Sequence, residues 1–250
     1  MSEAKERKSL DDILEIIIVV MLGVTALLTA WAGWISDLHG GNQAGSYTQS
    51  NNLAAEGNSE YNAAVQTMNQ DMLLWNDISD MQWEISFAQE QGDETAVEKY
   101  CYQLFYKLDE NLSETMAEAI GWNYQLSDEE AADPVGTVMT WIQTDKALTS
   151  PFYDEEYVTA YFDTANELLA QSQEEQQKGE KANQDGDAYG LVTVIYSLVL
   201  FLLGIVSTFK NTKNKMALVV ISCVAFVVAT IYMCTIPMPT GFSLGSFFGG

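Results

Sequence analysis

The sequence predicts an all-α membrane protein with three transmembrane helices plus an extracytoplasmic helical bundle. Three observations carry that prediction. Three apolar blocks are each long enough to cross a bilayer, at residues 16–37, 188–209 and 216–236. Outside the middle of the chain, every lysine and arginine lies either before the first block or between the second and third. The middle, residues 38–187, is rich in helix formers and lacks the strict alternation of a half-buried strand.

The first block has a charge-free core, Ile16–Trp34, of 19 residues. As a helix this is about 28 Å long, close to the hydrocarbon thickness. The basic start Lys5-Glu-Arg-Lys8 and the small-residue site Ala30-Trp31-Ala32 also resemble a secretory leader. The run is longer than an ordinary leader core, so it is read as an uncleaved anchor. The second and third blocks are separated only by Lys210–Lys215, room for a tight turn between antiparallel helices.

Lysine and arginine placement sets the expected orientation. Lys5, Arg7 and Lys8, and then Lys210, Lys213 and Lys215, belong on the cytoplasmic side. Residues 1–15 and 210–215 are then cytoplasmic, while 38–187 and the apolar tail 237–250 are extracytoplasmic. The expected location is the cell (plasma or inner) membrane. Trp31, Trp34, Tyr189 and Tyr232 fall where an outer interface would lie.

The formal net charge is −24. Residues 38–187 hold 29 Asp and Glu against 5 Lys and Arg and so carry the whole imbalance. Such a field repels nucleic acid and attracts cations or a basic partner protein. From Gln43 to Gln91 there is no proline. Leu74, Ile78, Met81, Ile85 and Ala88 form one helical stripe, and Val65, Met68, Met72 and Trp75 a second. Gly92 is placed to end that helix and Asp93 to cap a following one over Glu94–Ile120, with Val97, Cys101, Leu104, Phe105, Leu108 and Leu112 inward. Ser127-Asp-Glu-Glu130 reads as a capping box, and Pro134 and Pro151 punctuate the stretch between it and Asp154. A last helix is expected from Asp154 past Leu168 and Leu169, weakened at Gly179 and Gly186. Trp75, Trp83, Trp122 and Trp141 are expected in the bundle core. Gly40–Gly45 reads as a flexible joint at the membrane exit.

Chemical motifs are sparse. The single histidine, His39, suits a structural role, and no HExxH, paired CxxC, GxSxG or phosphate-loop pattern occurs. Cys101, Cys223 and Cys234 read as unpaired thiols. Asn183-Gln-Asp185-Gly-Asp187 lacks the glycine and glutamate positions of a calcium loop. The cation candidates are Asp128, Glu129, Glu130 and Asp133, a cluster that a helix start explains equally well. The cores of the spans carry no ionisable residue, which argues against a proton-coupled transporter. Small residues recur at helical spacing as Ala26 and Ala30; Gly190, Thr193, Ser197 and Gly204; and Ser222, Ala225 and Ala229.

Thr29-Ala-Trp-Ala-Gly-Trp34, Leu38-His-Gly-Gly-Asn-Gln-Ala44 with Tyr47, Ser50-Asn-Asn-Leu53 and Glu56-Gly-Asn-Ser-Glu-Tyr-Asn62 together resemble a pattern of uncharacterised bacterial membrane proteins. The resemblance covers about the first quarter of the chain. It implies a bacterial inner or plasma membrane and carries no activity or site residues.

The expected function is a non-enzymatic structural or interaction role for a self-associating membrane protein, with no cofactor. Met68, Met72, Trp75, Ile78, Met81, Ile85, Gly204, Phe247 and Phe248 are the candidate packing residues. Membrane lipid and further copies of the chain are the expected partners. The alternative is an oligomeric cation channel with an acidic outer vestibule.

Overall fold

The computed structural model describes residues 2–123 and 125–242, with side chains from residue 12 onward. The described residues are mostly helical, without a strand. Helix α1 runs unbroken over Ser2–Gln91. Then come α2 (Glu94–Asn111), α3 (Glu114–Ile120), α4 (Asp128–Ala132), α5 (Pro134–Ile142), α6 (Asp145–Leu148), α7 (Glu155–Ala160), α8 (Asp163–Ile205) and α9 (Thr212–Thr235). Three of these, α1, α8 and α9, are long and apolar enough to cross a membrane. The chain divides into two compact units: residues 1–52 with 172–250, and residues 53–171.

The first unit contains the apolar helices. Ala32 and Ile35 of α1 are buried with Tyr189, Val192 and Tyr196 of α8 and Ala229 of α9. A second cluster joins Leu14, Val199, Leu203, Val206 and Val219. Small residues let α1 and α8 approach closely. Ser36 Oγ donates to the Gly186 carbonyl at 2.9 Å, and Ser172 Oγ donates to the Ser50 carbonyl at 2.8 Å. A β-carbon at Gly179 would lie 2.6 Å from the Tyr47 ring, and one at Gly186 would lie 3.2 Å from the His39 β-carbon. Gly179 and Gly186 therefore do not weaken α8; their missing side chains make room for α1.

The same contacts overturn the joint expected at Gly40–Gly45. A helix-interior glycine costs about 1 kcal/mol against alanine. Here the segment is held on both sides. His39 is buried, stacks on Tyr189 with ring centroids 5.7 Å apart, and its Nε2 lies 3.2 Å from the Pro237 carbonyl. Asn42 donates to the Thr240 carbonyl at 3.2 Å, and Tyr47 sits on Gly179. Helicity that local propensity disfavours is maintained by tertiary packing.

The second unit is built on Trp75, Ile78 and Ile85 of α1, Cys101, Leu104, Phe105 and Leu108 of α2, and Trp122 and Trp141. The two latter indoles meet edge to face, 5.7 Å apart, and the Trp141 N–H donates to the Ile120 carbonyl at 2.9 Å. Trp83 is the exception among the expected core tryptophans. It is 65% exposed, its ring tilted 32° to that of Phe87 at 6.2 Å. Two helix boundaries also differ from expectation. The helix expected over Glu94–Ile120 breaks at Leu112, and Ser113 caps α3 by accepting the Met116 N–H. The helix expected from Asp154 divides into α7 and α8 around Tyr161 and Phe162.

Candidate functional site

The acidic quartet is explained first by helix starts. Ser127 and Glu130 form the expected capping box, with Glu130 Oε2 accepting the Ser127 N–H at 2.8 Å. That backbone bond, joined by the Ser127 hydroxyl, holds the Glu130 carboxyl below the usual range. Asp133 Oδ1 accepts the Gly136 N–H at 3.0 Å, which places Pro134 at the first turn of α5. Asp128 and Glu129 complete the first turn of α4. Glu129, Glu130 and Asp133 do border one open groove of about 450 Å³, opposite Trp122, Thr137 and Thr140. Among the described residues, no group of three or more His, Cys, Asp and Glu side chains is placed to hold a metal ion.

The first of the two stripes on α1 packs inward. Ile78 and Ile85 are fully buried, Ala88 nearly so, and Met81 is partly buried against the same core, which Trp75 of the second stripe also joins. The second stripe is only partly covered: Met68 is half-buried and Met72 is 41% exposed. Gly204 lies open on α8, and Phe247 and Phe248 fall outside the described residues. Phe242, from the apolar tail, packs edge-on against Trp31 and Trp34 at 6.0 and 5.8 Å.

A buried polar cluster has no counterpart among the sequence motifs. Asp71 is only 4% exposed although charged. Its Oδ2 accepts the Ser113 hydroxyl at 2.6 Å and the Tyr161 hydroxyl at 2.6 Å. Tyr161 also bonds the Tyr157 hydroxyl. Burial pushes the Tyr157 phenol up to about 12. Tyr161 is driven further upward by burial, and by its bond to the Asp71 carboxylate, which a phenolate could not make. The cluster ties α1, α3 and the α7–α8 turn together, and its two phenols stay protonated at neutral pH.

The most unusual surface lies on α1 within the first unit. Gly23, Ala26, Ala30, Gly33, Gly40, Gly41, Ala44 and Thr48 follow one side of the helix, exposed or half-exposed. A β-carbon added at Gly23, Gly33, Gly40, Gly41 or Gly45 would meet no neighbouring atom within 4 Å among the described residues. Gly57, Gly179 and Gly186 accommodate neighbours within the chain, whereas these five do not. Spacing in the sequence shows the first part of this face, since Gly23, Ala26, Ala30 and Gly33 recur three or four apart; exposed Asp37 then takes the next position on it, ahead of Gly40 and Gly41.

No protein-family model, curated protein or solved structure matches this chain.

Proposed function

We propose that the chain is a multi-pass membrane protein that self-associates through the small-residue face of α1 and has a structural or interaction role without catalysis. The carrying observation is that face. The four glycines on it, Gly23, Gly33, Gly40 and Gly41, cost several tenths to about 1 kcal/mol each relative to alanine in an unbroken helix. They relieve no crowding among the described residues. Close approach of a second helix would recover that cost, because small residues let helix backbones touch in a bilayer. The acidic quartet, with Glu130 and Asp133 capping helices and Asp128 and Glu129 in the first turn of α4, lends the cation-channel alternative no particular support.

In this reading the Lys and Arg distribution puts residues 1–15 and 210–215 in the cytoplasm, with 38–187 and the tail outside. In a cysteine-free background, Asp128→Cys is expected to react with an impermeant maleimide on intact cells, whereas Lys213→Cys reacts only after lysis. Labelling at position 213 on intact cells reverses the orientation.

The detergent-purified protein is expected to exceed the 27.7 kDa monomer mass after correction for bound detergent. Gly40→Leu with Ala44→Leu adds bulk to the open side of α1. It is expected to return the mass to that of a monomer while leaving helical content unchanged. A monomer from the wild-type chain at all concentrations would exclude self-association.

A further inference from the structure

A cleft of about 320 Å³ opens in the first unit beside the connection between α8 and α9. Its volume falls at the lower end of the range for small-molecule sites. Leu14, Ile18 and Leu22 of α1 form one wall, and Leu203 and Val206 form the other. Gly204 also lines it, and a β-carbon there would meet nothing within 4 Å among the described residues. Its polar lining residues are Glu15, Ser207 and Lys215, and each stands one to four residues from a member of the buried Leu14, Val206 and Val219 cluster.

That arrangement has the polarity of a lipid. The walls belong to helices long and apolar enough to lie in a bilayer. A dry void there would forfeit dispersion contacts along both walls, and water would gain no partners from leucine and valine. An acyl chain satisfies the walls. The polar groups then select the headgroup. Lys215 offers N–H donors to a phosphate, and Ser207 adds a hydroxyl. Glu15 is an acceptor and repels a headgroup of net negative charge, but it suits an ammonium that can donate hydrogen bonds. A trimethylated ammonium has no N–H to donate. We infer that this cleft binds one phospholipid whose headgroup carries both a phosphate and a primary ammonium, the phosphate at Lys215 and the ammonium at Glu15. The inference presupposes membrane insertion, which is read separately from the membrane fraction of lysed cells, and it is independent of self-association.

Native mass spectrometry of the full-length, delipidated chain provides the test. Equimolar dioleoyl phosphatidylethanolamine, phosphatidylcholine and phosphatidylglycerol serve as probes. Phosphatidylethanolamine is expected to be retained about tenfold better than phosphatidylcholine, the gain from a charge-assisted hydrogen bond. Glu15→Gln is expected to reduce it to the phosphatidylcholine level without changing phosphatidylcholine itself. Lys215→Gln should weaken all three, and Gly204→Phe, which fills the cleft, should remove the tightly retained lipid altogether. Helical content by circular dichroism checks each variant, and Glu15→Gln decides alone if Gly204→Phe fails to fold. Equal retention of all three lipids, preference for phosphatidylglycerol, or retention unaffected by Gly204→Phe in a folded protein would each overturn the proposal.

Discussion

Leu108→Ala is expected to destabilise residues 53–171 by about 2–5 kcal/mol, the usual cost of truncating a buried leucine to alanine. Leu108 is fully buried on α2, in one cluster with Ile78, Ile85, Leu104 and Trp122. Its loss removes buried methyl groups and leaves a void that rigid neighbours only partly fill. Hydrogen exchange of α2 amides in the purified full-length chain reads the effect as faster exchange over residues 94–111. Trp83→Ala is the matched comparison, because Trp83 is 65% exposed although aromatic and in the same unit. A surface substitution of this kind changes stability by about 0.5 kcal/mol or less. Equal effects at the two positions would mean that the cluster does not hold the unit together.

That contrast was available in the sequence. Ile78 and Ile85 are seven apart and share a face, while Trp83 stands five residues beyond Ile78, about 140° round the helix. Ranking tryptophans by size placed Trp83 in the core; ranking them by register would not have done so. The apolar helices, the Ser127 capping box and the α2 stripe were equally legible, because each is a local pattern. The continuous α1 was not. Glycine at positions 40, 41 and 45 signals a break, and the groups that prevent one, Pro237, Thr240 and Gly179, are more than 130 residues away in the chain. The break before Ser113 was hidden in the same way. Position N3 holds Met116, so no capping box is visible, and the second function of the Ser113 hydroxyl is a bond to Asp71, on another helix.

The candidate surfaces divide along the same line between local pattern and distant contact. The acidic quartet stood out as a cluster, and its carboxylates proved to be engaged at helix starts. The small-residue face of α1 was visible only in part, as Ala26 and Ala30. Its continuation through Gly33, Gly40 and Gly41 depended on α1 being one helix, and the sequence suggested otherwise.

Alkaline pH is expected to unfold the second unit in steps that can be assigned to named groups. Burial pushes the Cys101 thiol up to about 11, from 9.0, and the Tyr157 phenol up to about 12, from 10.0. The Tyr161 phenol is raised as well. Each group is neutral when protonated, so each raised value favours the folded state below the unfolded pKa. The unfolded chain gives up its protons first as pH rises. Stability from Cys101 is therefore lost from about pH 9 to 11, and that from Tyr157 from about pH 10 to 12. Cys101→Ala should flatten the first part of the loss, and Tyr157→Phe the second. Tyr161→Phe removes a donor to buried Asp71 and is expected to cost about 1–3 kcal/mol already at pH 7. It should also leave less to lose above pH 10. Denaturant midpoints from pH 7 to 11.5, followed by tryptophan emission from Trp75, Trp122 and Trp141, measure these differences. Parallel pH profiles for the wild-type chain and all three variants would show that the alkaline loss arises elsewhere, in deprotonation of surface lysines that leaves carboxylate repulsion unbalanced.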